Sequence, residues 1–138
     1  MARNEPKLKT KMHDPADLGQ LELAILRLFW QDDLLTAEQV REQLDRKLKD
    51  STIRTVLRRL EEKGYLFHTT ENRTFFYRAT QPPHAIAGRA VQRIVDWFCE
   101  GSVEALLVGM VDSAVLDRKE LQRLAARIAG AKKGKDNA

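Results

Sequence analysis

The apolar period of this chain switches from helical to alternating at Gly64, after three helix-like segments, and few folds accommodate that order. Upstream of the switch, Ile53, Val56, Leu57 and Leu60 recur at helical spacing in a segment that opens at Asp50 or Ser51. Gly64 closes it, glycine being the residue that most readily takes the left-handed conformation beyond a helix C-terminus. Downstream, Tyr65 to Thr70 and Thr74 to Ala79 are β-branched and aromatic around Glu71-Asn72-Arg73, which reads as a hairpin. Two helices precede. Asp17 stands before Leu18, Leu21, Ile25 and Leu28, with Gln20 three residues beyond it as in a capping box. Leu23, Leu26 and Trp30 lie on its other side, so this helix is buried on more than one face. Thr36 and Gln39 form a second capping box, Leu35 and Val40 a hydrophobic staple, and the helix they open buries Val40, Leu44 and Leu48.

Gln81-Pro82-Pro83 then breaks the pattern. A helix from about His84 to Glu100 follows, with Ile86, Ala90, Ile94, Trp97 and Phe98 on its apolar side. Gly101 interrupts, an apolar helix runs from about Ser102 to Val111, and Asp117 with Glu120, stapled by Leu116 and Leu121, opens a last helix to about Ala129. The expected architecture is mainly α with a small β-hairpin wing: a winged helix-turn-helix domain over 17–80 and a helical dimerisation domain over 84–129. A flexible basic arm is expected over 1–16, and a flexible basic tail over 130–138.

The third helix carries the chemistry. At 100° per residue its apolar side chains share one face, and Ser51, Thr55, Arg58 and Glu62 lie opposite, flanked by Thr52, Arg54 and Arg59. A helix that reads the major groove needs this division, with hydroxyls and guanidiniums on the free face. An ordinary amphipathic helix with a solvated charged face has the same period; the hairpin and the capped second helix, in this order, favour the reading helix. Arg73 at the hairpin tip and Arg78 on its return strand extend the surface toward phosphates or a minor groove. Phe75, Phe76, Tyr77 and His68 are read as packing residues.

Charge supports this only locally. Residues 1–80 hold fifteen basic and thirteen acidic side chains and residues 81–138 nine and seven, so the +4 total is shared evenly. Lys49, Arg54, Arg58, Arg59 and Lys63, by contrast, crowd one short segment. Other classes fit poorly. The 43% hydrophobic content rules out disorder throughout. The longest apolar stretch, Ala105 to Val111, is far too short to span a membrane. The polar, basic segment Met1 to Lys11 does not read as a secretory signal. One cysteine, Cys99, suits a reducing cytoplasm and reads as a small buried hydrophobe rather than a redox sensor. His13, His68, His84 and Cys99 are scattered singly, so no metal or other cofactor is expected. There is no glycine-rich phosphate loop, no nucleophile with plausible partners and no apolar carboxylate pair, so the chain does not read as an enzyme.

The run from Asp50 to Leu66 (DSTIRTVLRRLEEKGYL) closely resembles the recognition helix and first strand of the penicillinase-repressor family, the BlaI/MecI type. Leu21-Glu22, Ile25-Leu26, Leu28 and Trp30, the hairpin residues Arg73, Phe75 and Tyr77, and Gly101-Ser102 before an apolar helix extend the similarity over about 17–129. The resemblance implies a bacterial dimeric repressor on a palindromic operator of double-stranded DNA. It makes Ser51, Thr52, Thr55 and Arg58 the operator contacts, with Arg54 and Arg59 beside them and Arg73 on a phosphate. Some members are inactivated by cleavage at an Asn–Phe bond, through a membrane sensor or protease. Gly109-Met110 stands at that place here, a departure that counts against cleavage. Members that sense copper carry a cysteine-rich C-terminus, and this chain has Cys99 alone. Many members have Ser-Pro where Lys49-Asp50 stands, which makes Asp50 the expected N-cap.

The residues call for a dimer independently. A segment as short as 84–129 cannot bury Ile94, Trp97, Phe98, Leu106, Leu107, Val108, Val111 and Leu121 unaided, and a two-fold partner would cover them. These helices folding back on the first helix of their own chain is the alternative arrangement. The alternative function is a winged-helix protein-interaction module without DNA binding.

Overall fold

Three helices, a hairpin and three further helices follow one another in a computed structural model that describes residues 13–137, with side chains as far as Ala131. They are α1 (Gln20–Leu28), α2 (Ala37–Gln43), α3 (Asp50–Glu62), β1 (Leu66–Glu71), β2 (Thr74–Ala79), α4 (Pro83–Phe98), α5 (Val103–Asp112) and α6 (Arg118–Asn137). The chain divides into two compact units, and the division falls within α4, between Val91 and Gln92.

In the first unit, α1, α2, α3 and the hairpin enclose one core: Ile25, Leu26, Val40, Ile53, Leu57, Leu60 and Tyr65 are fully buried, and Ile86 of α4 joins them. The four apolar positions of α3 that set its period are its four buried residues. Its end is a Schellman motif. Gly64, at φ 91°, lets the Tyr65 N–H donate to the Leu60 carbonyl at 2.9 Å and the Gly64 N–H to Glu61 at 3.0 Å. Leu60 and Tyr65, both buried, supply the hydrophobic contact that accompanies it. In the Thr36–Gln39 box, the Gln39 N–H donates to Thr36 Oγ1 at 3.2 Å and the Thr36 N–H to Gln39 Oε1 at 2.9 Å.

The first helix begins later than Asp17. Pro15–Asp17 forms a short 3-10 turn capped by Asp14, and α1 starts after Gly19, whose N–H donates to Glu22 Oε1 at 2.9 Å. Proline at the first position favours the short turn, and the carboxylate of Glu22 then serves where Gln20 was expected. The expected arm over 1–16 lies outside the described residues up to residue 12. Its last four residues are ordered parts of the fold: His13 Nδ1 lies 2.7 Å from the Tyr65 hydroxyl, which donates to the His13 carbonyl at 3.2 Å.

The hairpin is antiparallel, in the register Leu66 with Ala79 through Glu71 with Thr74. Its turn is two residues, Asn72 and Arg73, both at positive φ (51° and 66°), as right-twisted hairpins require. Leu35 adds a third, one-residue rung: it exchanges N–H···O bonds of 3.1 and 2.8 Å with Tyr77. The same residue is thus the staple of α2 and the edge partner of β2.

The second unit has Val95 as its one fully buried side chain among the described residues. Ser102 caps α5, accepting from the Ala105 N–H at 3.0 Å. Asp117 and Glu120 cap α6 reciprocally at 2.7 and 3.0 Å. Helix α6 continues to Asn137, beyond Ala129 where the apolar spacing ends.

Candidate nucleic-acid interface

Because Ile53, Val56, Leu57 and Leu60 anchor α3 in the core, its opposite face is held outward. Ser51, Arg54, Arg58 and Arg59 are exposed; Thr52 and Thr55 are half-buried. The exposed face therefore offers hydroxyls in the first turns and guanidiniums over the rest, an array suited to base edges and phosphates. Arg73 is exposed at the tip of the hairpin, and Arg78 on β2. A cleft of about 310 Å³ between α2, α3 and the hairpin is lined by Thr36, Glu38, Arg54, Arg73 and Phe75 among others, so Arg54 and Arg73 border one depression.

Asp50 does not cap α3. The N-cap is Lys49, which makes no side-chain cap, and Asp50 is the first helical residue. Its carboxylate accepts from Arg54 Nε at 2.7 Å, and this hydrogen bond, with the charge behind it, raises the Arg54 pKa above its ordinary value. The i,i+4 order, acid before base, is the favourable one on a helix. Glu61, at the other end of α3, faces His68 of β1: His68 Nδ1 lies 2.7 and 2.8 Å from the two carboxylate oxygens. The His68 ring also stacks on Phe75 of β2 at 3.9 Å, so the imidazole that joins the hairpin to the helix through Glu61 is itself held between the two strands. Phe75 keeps 42% of its surface in this packing role. No sequence pattern signals this pair, because it joins a helix to a strand beyond the turn.

Behind the helix, Glu22 of α1 is buried and accepts from Lys63 Nζ at 2.6 Å. Burial pushes the Glu22 carboxyl up, but the Lys63 hydrogen bond, the Gly19 N–H and the Lys63 charge outweigh it and leave the pKa below its ordinary value. His13, beside this pair, is held below its ordinary value by burial and then by the Lys63 charge. Arg89 of α4 donates to the His13 carbonyl and lies over the Tyr65 ring, 5.6 Å from its centroid.

The apolar residues of the second unit are exposed within one chain. Phe98 keeps 78% of its surface, Trp97 70% and Ile94 46%; Leu107 is exposed too, while Leu106, Val111 and Leu121 are half-buried. Arg93 lies over the Trp97 ring at 5.1 Å. Gly109 is exposed and Met110 half-buried on α5, and Cys99 is half-buried rather than enclosed. Among the described residues no helix is long and apolar enough to cross a membrane.

The chain is 28% identical over 105 residues to an uncharacterised 16.5 kDa protein from the ptsI 3′ region of Latilactobacillus sakei, covering 75% of this chain and 72% of that one. It is 22% identical over 110 residues to the methicillin resistance regulatory protein MecI of Mammaliicoccus sciuri, covering 78% and 89%. A crystal structure of a mutant MarR from E. coli superposes with a TM-score of 0.48 at 16% identity, over 93% of this chain and 89% of that one. The family model described as penicillinase repressor matches residues 18–130, and the chain belongs to that family of winged-helix, DNA-binding transcriptional regulators.

Proposed function

We propose that the protein is a cytoplasmic, dimeric, sequence-specific repressor that occupies a palindromic operator, with α3 in the major groove and the hairpin beside it. The observation that carries the proposal is the division of α3: four buried apolar residues fix it, and Ser51, Thr52, Arg54, Thr55, Arg58 and Arg59 occupy the remaining surface. Ser51, Thr52, Thr55 and Arg58 face base edges, Arg54 and Arg59 flank them, and Arg73 meets a phosphate. The dimer is supported by the uncovered surface of Ile94, Trp97, Phe98 and Leu107. Two copies related by a two-fold axis would present two α3 helices to half-sites about one DNA turn, about 34 Å, or a multiple apart. Relief of repression by cutting between Gly109 and Met110 would require α5 to unwind, since the Gly109 carbonyl accepts from the Ser113 N–H at 2.9 Å.

Selection of bound duplexes from a random pool at moderate salt tests the proposal. A palindrome is expected, with affinity that falls steeply as salt rises because phosphate contacts release counterions. Arg58→Ala is expected to weaken the selected site by about 1–3 kcal/mol and a random duplex by less. Equal losses on both would make Arg58 a phosphate contact. A protein that retained no duplex at low salt would be a protein-interaction module instead.

A further inference from the structure

We infer that Asp50 is a positioning residue for operator reading, orienting Arg54 so that the guanidinium offers its terminal Nη1/Nη2 edge to a guanine. The inference rests on the repressor reading above. A guanidinium can form a two-pronged contact through its Nε/Nη edge or through its terminal edge. Asp50 Oδ2 occupies Nε at 2.7 Å, so the terminal edge is the one left for a base. Among the described residues the Arg54 side chain makes no second hydrogen bond. It is 61% exposed, on the helix face that the buried Ile53 and Leu57 turn outward. Exposed pairs of this kind add little to stability, so the consequence of the pair is the plane and direction of the guanidinium. A rotamer held in advance loses less entropy when the contact forms. Asp50 also brings a negative charge to the end of the helix that approaches the duplex, where it repels phosphates. The two roles therefore have opposite signs: as a charge Asp50 weakens all DNA binding, and as a positioning residue it strengthens one sequence.

The test compares full-length wild type, Asp50→Asn, Asp50→Glu, Arg54→Lys and the Asp50→Asn/Arg54→Lys double variant at one salt concentration. Each is titrated against the selected operator, its single base-pair variants and a random duplex. Asp50→Asn is expected to bind the random duplex more tightly than wild type and the operator about tenfold more weakly, losing discrimination at one base pair in each half-site. Arg54→Lys is expected to lose the same preference, since an ammonium cannot form the fork, and the double variant to do no worse than Arg54→Lys alone. Asp50→Glu, which keeps an i,i+4 carboxylate, is expected to retain the preference. Equal tightening on operator and random duplex, or weakening with every base-pair preference intact, would overturn the inference. A wild type that discriminates no base pair overturns both readings. A discriminating wild type with an unchanged Asp50→Asn profile overturns the role of Asp50 alone.

Discussion

Arg73 holds a backbone conformation that its side chain disfavours. At φ 66° it sits in the second position of a two-residue turn, where glycine is the usual occupant. Arg73→Gly is expected to raise stability by about 0.5–1 kcal/mol, the relief of left-handed strain less the added freedom of the unfolded chain. If Arg73 meets a phosphate, the same variant flattens the salt dependence of operator binding by about two counterions per dimer. Denaturant melts and a salt titration separate the two effects. Gly64 is the converse case. A Cβ there would meet nothing within 4 Å, so Gly64→Ala brings no clash, but a residue with a Cβ is strained at φ 91°, which is expected to cost about 1–2 kcal/mol in unfolding free energy. Gly64 was legible in the sequence because the demand on it is local. The role of Asp50 was not, since capping and pairing with Arg54 are both available to a carboxylate at the start of a helix, and side-chain geometry selects the second.

At the scale of elements, the ion pair between α1 and the end of α3 is a pH-sensitive fastening. Glu22 and His13 both have native pKa values below their ordinary ones, so the native state binds fewer protons than the unfolded chain and stability rises with pH. The contribution of His13 is complete above its ordinary value of 6.5, and that of Glu22 above 4.5; each is lost as pH falls through the native value. The thermal midpoint is therefore expected to decline on acidification in two stages. Glu22→Gln should flatten the lower stage, lower the midpoint at neutral pH and, by removing a charge that raises the His13 pKa, deepen the upper stage. A lower stage unchanged in that variant would show that other carboxylates carry it. Capping boxes at Thr36 and Asp117 are visible in sequence because they close within four residues. The start of α1 and the Leu35–Tyr77 rung are not, because Pro15 redirects the first turn and the rung pairs residues 42 positions apart.

For the whole molecule, the uncovered apolar surface leads to the strongest expectation. Trp97 is 70% exposed and meets Arg93 over its ring, so Trp97→Glu removes little packing within the chain. It would set a charge in the proposed interface and is expected to shift the protein to monomer by sedimentation, with operator affinity down by at least about tenfold and the first unit still folded. A variant that stayed dimeric would move the interface away from this end of α4. The order of elements, the core face of α3, Gly64 as its stop and the excess of apolar residues after Pro83 were all legible along the chain. Those follow from periodicity and local backbone preference, which act between near neighbours. That Asp50 holds Arg54, that Glu61 faces His68, that His13 joins Tyr65 and that Lys63 answers Glu22 came from the folded arrangement alone. For polar side chains sequence spacing leaves several partners in reach, and which one is met depends on how packed elements bring distant segments together.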